Sequence, residues 1–256
     1  MFGVLKHKRF WRSENYNERK VLRADKAEPS MIILHYTGME SARAALERLC
    51  DPASEVSAHY VIEENGRIHA LLPLEKRAWH AGKSYWNGLE DINSASIGIE
   101  LVNTGHEFGY TAFPPKQIKA LIKLLIQLKQ RFSIPDSLIL GHSDIAPARK
   151  IDPGEKFPWA HLAQAGLGLW PQPTEMDYQA AEDLILHDDA ALALLVNYGY
   201  NPQEEPDVLI TAFHRHFYPE KFHSGNRPET LDIALIARLL SLLRQKHEEI
   251  EIAKTL

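Results

Sequence analysis

The sequence predicts an α/β fold with a mixed β-sheet flanked by helices, followed by a small all-α domain at the C-terminus. Short apolar runs of strand length alternate with segments of helical periodicity as far as about residue 170. After the Pro-rich stretch Trp170–Pro173, only helical patterns remain. We therefore expect an N-terminal extension over residues 1–28, a main domain over 29–172 and a helical domain over 173–256.

The main domain contains six predicted elements. The Asn65-Gly66 turn signal between two short apolar runs predicts a hairpin, and Pro115 at the start of an amphipathic run predicts the beginning of a helix. The elements are, in order, a strand over residues 31–34, a helix over 41–49, a hairpin over 59–72, a strand over 96–102, a helix over 115–132 and a strand over 137–141.

Polar residues lie at the ends of these strands or beside them. His35 directly follows the first strand, and His142 directly follows the last. The strand over residues 96–102 alternates, so that Glu100 lies on the face opposite Ile97 and Ile99. Proteins with α/β sheets usually place their functional sites at strand ends, and we expect the site there.

Four helical patterns make up the C-terminal part, over residues 180–187, 190–198, 207–217 and 228–247. A unit of about 80 residues is small but within the range that folds alone. His214, His216 and His223 lie close together in this sequence. We assign them surface or capping roles and expect no second metal site.

Composition excludes several classes of partner. The formal net charge of -5 and the pI near 6.2 give no broad cationic field, so nucleic acid is not an expected partner. The single cysteine, Cys50, excludes an intramolecular disulfide framework and a four-cysteine zinc site. No stretch reaches the roughly 18 to 20 consecutive apolar residues of a membrane span.

The first residues carry basic side chains but no apolar run of signal-peptide length follows them. We therefore expect the protein in the cytoplasm. The periplasm is the alternative, because a protein without a leader can still be exported.

His35, His142 and Asp152 form a candidate metal site. Catalytic zinc typically takes three protein ligands from His and carboxylate residues and keeps a fourth position for water. Glu100 is the best candidate for the group that moves the water's proton to the leaving amine. Lys150 lies two residues before Asp152, where its charge could stabilise an oxyanion.

Each of these residues also has an ordinary structural interpretation. The chain has 13 histidines, and a ligand set spread over more than 100 residues has no local signature. Glu100 could be a solvated strand residue and Lys150 a loop cation. Asp152 precedes a proline, which is also a common turn sequence. The residues by themselves leave zinc open.

Four sequence blocks occur in a recognisable order. They are residues 56–66, Arg77–Ser84, Ser96–Glu100 and Gly141–Gly154. The first begins with the string VSAHYVI and ends at Asn65-Gly66, and the other three read RAWHAGKS, SIGIE and GHSDIAPARKIDPG. Together they resemble the type 2 N-acetylmuramoyl-L-alanine amidase family, with its AmiD and AmpD types. The resemblance covers residues 30 to about 165 and implies the mixed-sheet fold of that family and of peptidoglycan recognition proteins.

The resemblance implies one Zn²⁺ per chain with His35, His142 and Asp152 as ligands. It also implies that Glu100 is the general base and that Lys150 stabilises the transition state. The expected substrate is a muropeptide or peptidoglycan, cut between the lactyl group of (anhydro-)N-acetylmuramic acid and L-alanine during peptidoglycan turnover or recycling. The residues expected to line the cleft are Tyr36, His59, Trp79, His80 and Arg149.

Two of these cleft residues have a second interpretation. Trp79 could equally be a core aromatic residue. His80 could hold its loop rather than touch substrate.

The chain combines features of both types. An amidase domain with a short helical domain resembles the AmiD layout, whereas the block Trp79–Gly82 also resembles the AmpD type. AmpD-like members tend to carry arginines between this block and the glutamate strand, but here Leu89 and Asp91 occupy that stretch. We expect Lys83 or Arg149 to bind the stem-peptide carboxylate instead, or recognition to be looser.

The C-terminal helices resemble a three-helix peptidoglycan-binding module, and an accessory bundle that only packs on the main domain is the alternative. Two other functions also remain open. The chain could be a muropeptide-recognition protein without catalysis, or a prophage lysin. Recognition proteins that lose catalysis usually lack a metal ligand, and all three are present here, which favours the enzyme.

Overall fold

The computed structural model describes residues 11–22, 27–222 and 227–255 of the 256-residue chain. The strands in these residues are short and none exceeds six residues. They are β1 (Tyr16–Glu18), β2 (Met31–Tyr36), β3 (Tyr60–Ile62), β4 (Ile68–Ala70), β5 (Lys76–Ala78), β6 (Ser96–Leu101) and β7 (Ile139–Gly141).

Five of the strands form one sheet in the order β4-β3-β6-β2-β7. Strands β3, β6, β2 and β7 run parallel to one another, and β4 is antiparallel to β3. The predicted mixed sheet is therefore confirmed. Because the carboxyl ends of parallel strands meet at one edge, the residues that follow β2 and β7 lie side by side there. Strands β1 and β5 form a separate antiparallel pair.

The helices pack around this sheet or follow it in the chain. In the described residues they are α1 (Ala42–Cys50), α2 (Ile92–Ala95), α3 (Pro115–Phe132), α4 (His142–Ile145), α5 (Trp159–Gln164), α6 (Glu175–Leu184), α7 (Asp188–Tyr198), α8 (Pro206–Phe217) and α9 (Ile233–Thr255). Within the part of the chain that is described, no helix is both long and apolar enough to cross a membrane.

The long elements agree with the sequence prediction, and helix α3 has the predicted bounds. Helix α6 begins earlier than predicted because Thr174 and Asp177 form a reciprocal cap, each side chain accepting the other's backbone N–H. Helix α9 begins later than Pro228, since the Asp232 carboxylate accepts the Leu235 N–H. The elements that the sequence did not predict are β1, β5, α2, α4 and α5, which are too short to show a period.

The two faces of the sheet have different coverings. Alternate residues Ile32 and Leu34 of β2 face a cluster that includes Leu121 and Leu125 of α3. Residues Ile97, Ile99 and Leu101 of β6 lie in the same cluster, as their alternation predicts. The remaining residues of β2 face the other side.

The second face is covered by the C-terminal helices. Met31 and Ile33 of β2 belong to the same buried cluster as Leu195 of α7, Phe213 of α8 and Leu235 of α9. Residues on both sides of position 172 therefore contribute to one hydrophobic core. The domain boundaries given above stay a prediction. Among the described residues, the C-terminal part contains four helices, α6 to α9, rather than the three of the module that its sequence resembles.

This shared core predicts that a cavity in α7 destabilises the protein. Leu195→Ala removes a fully buried side chain, so we expect it to lower the free energy of unfolding by about 2–5 kcal/mol. The adjacent Val196 is 37% exposed, and Val196→Ala should change it by less than about 0.5 kcal/mol. Urea unfolding followed by circular dichroism measures both. Equal effects of the two substitutions would contradict the shared core.

Candidate metal centre and its cleft

The three predicted metal ligands converge at the carboxyl edge of the sheet. His35 is near the end of β2, and His142 directly follows β7, whose Gly141 pairs with Leu34. The His35 Nδ1 atom lies 2.9 Å from His142 Nδ1 and 2.9 Å from Asp152 Oδ2, and the last two atoms are 3.1 Å apart. All three residues are buried, and together they could hold a metal ion.

The loop that carries Asp152 folds back onto α4. The Ser143 N–H donates a hydrogen bond to the Asp152 backbone carbonyl at 2.9 Å. This contact brings a residue ten positions after His142 to the same point. The proximity expected from the sequence is therefore explained by one backbone hydrogen bond.

A chain of hydrogen bonds determines which nitrogen of His35 carries its proton. The Ser96 hydroxyl donates to the Ile92 carbonyl at 2.6 Å, so it must accept from His80 Nε2 at 3.1 Å. His80 Nδ1 is then an acceptor and receives the proton of His35 Nε2 at 3.0 Å. The Nδ1 atom of His35 consequently has no hydrogen and directs a lone pair at the other two ligands.

His142 is fixed in the same tautomer by a different partner. Its Nε2 atom lies 3.0 Å from the Ala81 carbonyl oxygen, which can only accept, so Nε2 carries the proton. In the neutral form of the ring, the Nδ1 atom of His142 therefore also offers a lone pair. Hydrogen bonds to the outer nitrogen are the usual way in which proteins orient metal-binding histidines.

The result is three acceptor atoms with no hydrogen between them. Three lone pairs at this distance repel one another unless a cation lies between them. A tetrahedral ion bound at about 2.1 Å would have ligand atoms roughly 3.4 Å apart, a few tenths of an ångström more than the observed separations of 2.9 to 3.1 Å.

Burial also keeps His35 in the neutral form that metal binding requires and keeps its partner His80 neutral. It lowers the pKa of His35 to about 4, with His142 adding to the effect. It lowers the pKa of His80 well below the usual value, with His35 adding to the effect. Both rings are therefore uncharged at neutral pH, in agreement with the tautomers derived from the hydrogen bonds.

Glu100 lies beside this centre on β6, where it pairs with His35 in the sheet register. Its side chain lines the cleft, and its Oε2 atom is buried with no hydrogen-bond partner among the described residues. Burial raises the pKa of the Glu100 carboxyl well above its usual range, the charge of Asp152 raises it further, and Lys150 lowers it. A carboxylate with a raised pKa is a stronger base.

Lys150 lies close enough to act on the centre through its charge. It lowers the pKa of both Glu100 and His35, although in each case other groups act more strongly. Its backbone N–H donates to the Ala146 carbonyl, which fixes the turn that follows α4. Lys150 is therefore a half-buried cation near Glu100 and His35.

An open cleft extends from the metal centre along α1. Its inner end is formed by the three ligands and Glu100, and its walls include Met39, Leu49, Val56 and Trp79. Arg48 of α1 also lines it. Within the described residues the Arg48 side chain has no hydrogen bond or ion pair, so its guanidinium is available to a ligand.

Comparisons with known proteins decide the family. A family model described as N-acetylmuramoyl-L-alanine amidase (Amidase_2) matches residues 25–155. The AmiD amidase of Escherichia coli strain K12 is 36% identical over 225 residues, which is 80% of each protein. The chain belongs to the type 2 N-acetylmuramoyl-L-alanine amidase family.

Solved structures of amidases from this family have the same fold. The complex of E. coli AmiD with anhydro-N-acetylmuramic acid-L-Ala-D-γ-Glu-L-Lys superposes with a TM-score of 0.72 at 34% identity, over 88% of this chain and 93% of that one. AmpDh3 of Pseudomonas aeruginosa gives a TM-score of 0.75 at 29% identity, over 96% and 99%. Both matches extend beyond residue 172, so the C-terminal helices belong to the shared architecture.

Two of the five residues predicted to bind substrate line the amidase cleft, namely Trp79 and His80. The Trp79 indole donates to Asn17 Oδ1 at 2.7 Å, which ties the ring to the N-terminal segment. His80 is mostly buried and orients His35. A contact of either residue with substrate stays a prediction.

His59 and Tyr36 lie away from the cleft. His59 is fully buried, and its Nδ1 atom accepts the Gly98 N–H while Nε2 donates to the Lys76 carbonyl. Tyr36 points to the opposite face of the sheet, where its hydroxyl is 3.0 Å from His106 Nδ1. In this conformation neither side chain borders the space beside the metal ligands, and their proposed substrate contacts stay predictions.

Arg149 is an exposed loop residue whose guanidinium donates to the carbonyls of Ala81 and Lys83. It therefore helps to hold the loop that also fixes His142. Lys83 is exposed, and neither cation lines the cleft beside the ligands. Their expected role in carboxylate recognition stays a prediction, whereas Arg48, which the sequence analysis missed, lies in the cleft.

Asn93 is a second residue that sequence reasoning missed. Its side-chain oxygen accepts hydrogen bonds from the N–H groups of both His80 and Ala81, at 3.0 and 2.8 Å. It thereby fixes the loop whose side chain orients His35 and whose carbonyl orients His142. No spacing rule links Asn93 to residues 12 and 13 positions earlier, so the sequence gives no signal.

The contacts of Asn93 predict a stability cost. Asn93→Ala leaves two N–H groups without their acceptor in a buried position, and we expect the free energy of unfolding to fall by about 2–4 kcal/mol. Asn93→Asp keeps the acceptor and serves as the matched control. Urea unfolding of the metal-free proteins measures the difference. A cost below about 0.5 kcal/mol for Asn93→Ala would show that the loop is held by other contacts.

Proposed function

We propose that this protein is a zinc-dependent N-acetylmuramoyl-L-alanine amidase. It hydrolyses the amide bond between the lactyl group of (anhydro-)N-acetylmuramic acid and the L-alanine of the stem peptide. The observation that carries the proposal is the convergence of one possible ligand atom each from His35, His142 and Asp152, beside a Glu100 carboxyl whose Oε2 has no hydrogen-bond partner among the described residues. Two neutral imidazoles and one carboxylate are a typical donor set for catalytic zinc.

The proposed substrate class follows from the relatives. E. coli AmiD was solved with a substrate that contains anhydro-N-acetylmuramic acid, and AmpDh3 was solved in complex with anhydromuramic pentapeptide. We propose that this chain also acts on such muropeptides in peptidoglycan turnover or recycling. The expected cytoplasmic location and the binding of peptidoglycan by the C-terminal helices stay predictions.

The side chains around the centre have separate roles in the proposed reaction. Zinc held by His35, His142 and Asp152 would activate a water molecule and polarise the attacked carbonyl. Glu100 accepts the proton of the attacking water and delivers it to the leaving nitrogen of L-alanine. Lys150 supplies positive charge near the oxygen that becomes negative in the tetrahedral intermediate.

The direct test is mass spectrometry of products from purified anhydro-muropeptide. We expect release of the intact stem peptide, loss of this activity with a chelator and recovery with Zn²⁺. Asp152→Ala should lose both bound metal and activity, because it removes a ligand. Glu100→Gln should keep the metal but lower kcat by at least about a hundredfold, since it removes the proton acceptor.

Two controls separate the alternatives. Metal analysis of Glu100→Gln shows whether its loss of activity is chemical or follows from loss of the ion. Binding of muropeptide without any cleavage would indicate a recognition protein instead of an enzyme. Cleavage that survives both the chelator and Asp152→Ala would rule out the metal mechanism.

Arg48 also suggests how the stem peptide is oriented. In the substrate named for the E. coli AmiD complex, glutamate is linked through its γ-carboxyl group, so its α-carboxylate is free. That carboxylate follows the cleaved bond by two residues, or about 7 Å of extended chain. We propose that Arg48, a cation of the cleft wall that has no partner among the described residues, binds this carboxylate through its planar guanidinium.

This orientation predicts a selective effect on substrate binding. Arg48→Ala should raise KM about tenfold with little change in kcat, because a charge-assisted hydrogen bond contributes about 1.5 kcal/mol. Arg43→Ala on the same helix is the matched control, since Arg43 is exposed and paired with Glu47. Steady-state kinetics on a muropeptide measures both. An equal KM for the two variants would exclude Arg48 as the carboxylate site.

A further inference from the structure

A buried carboxylate lies two residues after the metal ligand His142. The Asp144 side chain is completely buried, yet it is not among the ligands and does not line the cleft. Its Oδ2 atom accepts the N–H of Gly141 at 2.7 Å, which closes the turn at the start of α4. A carboxylate in such surroundings needs several donors, because removing a charge from water is costly unless hydrogen bonds compensate it.

The other two donors come from the C-terminal part of the chain. The Tyr200 hydroxyl donates to Asp144 Oδ1 at 3.0 Å. His216 of α8 donates from Nδ1 to Asp144 Oδ2 at 2.8 Å, since a carboxylate only accepts. These residues are 56 and 72 positions further along the chain. The contacts therefore connect the helix that begins at His142 to the C-terminal helices.

Packing holds both donors in place. The His216 ring is stacked between Trp159 and Phe217, with ring centroids 3.7 Å away on each side. Tyr200 packs edge-on against Trp86 at 5.0 Å. Both side chains are almost completely buried, so neither can turn to solvent. The Asp144 carboxylate is thus fixed from outside α4.

Helix α4 depends on this support, because it contains only four residues. A helix of this length is not stable by itself, and external contacts must set its orientation. The space at its start is also restricted, since a Cβ atom on Gly141 would lie 2.8 Å from the ring of Pro153. A shift of Asp144 would therefore move the Gly141–His142 backbone rather than be absorbed by it.

We propose that Tyr200 and His216 are positioning residues for the metal ligand His142, and that they act through the buried carboxylate of Asp144. The C-terminal helices then form part of the metal centre in addition to any binding role. The inference rests on the proposed metal site and extends it to residues that touch neither metal nor substrate.

The expected effect follows from the precision that metal ligation requires. Changes to the groups that orient metal ligands typically weaken metal binding by 10- to 100-fold. Tyr200 and His216 act one contact further out, so we expect about a tenfold loss for either one. Since neither lines the cleft, kcat should fall while KM stays unchanged.

Two neighbouring tyrosines provide a matched pair of substitutions. Tyr198 and Tyr200 are both fully buried and both pack against Trp86. Of these two tyrosines, only Tyr200 donates a hydrogen bond to Asp144 within the described residues. Tyr200→Phe and Tyr198→Phe therefore remove the same atom from similar surroundings, but only the first removes a donor to the carboxylate.

The experiment is a titration of the metal-free full-length protein with Zn²⁺ against a chromophoric chelator, followed by the absorption spectrum of the Co²⁺-loaded protein. We expect Tyr200→Phe to raise the metal dissociation constant about tenfold and to shift the Co²⁺ bands, and Tyr198→Phe to leave both unchanged. His216→Ala should behave like Tyr200→Phe. His216→Asn, which keeps an N–H near the position of Nδ1, should restore most of the affinity.

Melting curves of the metal-free variants distinguish positioning from general packing. A positioning role predicts that Tyr200→Phe and Tyr198→Phe have similar melting temperatures but different metal affinities. If Tyr200→Phe and Tyr198→Phe bind metal equally well while the unaltered protein binds it, the inference is wrong and the proposed function stands. If the unaltered protein binds no metal, the proposed function itself fails. Should His216→Ala not fold, the tyrosine pair decides the question alone.

Discussion

The mutual repulsion of three lone pairs is the constraint on which the rest of the site depends. His35 Nδ1, His142 Nδ1 and Asp152 Oδ2 lie within about 3 Å of one another and none carries a hydrogen between them. These atoms repel one another unless a cation lies between them. Contacts with the surrounding protein must therefore hold them in place when the ion is absent. Most of the polar contacts described above serve this purpose.

The histidines are held through their outer nitrogens. One hydrogen-bond chain runs from His35 through His80 to Ser96 on β6, and His142 is held by the Ala81 carbonyl. Both meet in the loop that Asn93 fixes. A single buried amide thus helps to orient two predicted ligands from strands that are neighbours in the sheet. The parallel strands bring the two histidines close together, and the hydrogen bonds of the loop determine their tautomers.

The hydrophobic core extends this support into the C-terminal helices. Because Met31 and Ile33 share a cluster with residues of α7, α8 and α9, the second face of the sheet is covered only when those helices are in place. Asp144 adds a polar connection through the same interface. The helices therefore have a structural role whether or not they bind peptidoglycan, and in their absence the apolar residues of that face would be exposed to water.

The sequence by itself determined the α/β class, the bounds of α3, the buried face of β6 and, through four ordered blocks, the family, and it predicted the candidate ligand set. Periodicity and motif order are local signals, so they could be found without a structure. The tertiary structure decided the tautomers, the position of Arg48 in the cleft, and the contacts of Asn93, Tyr200 and His216. These depend on partners up to 72 residues apart or on which side chains border one cleft, and neither is encoded in spacing along the chain.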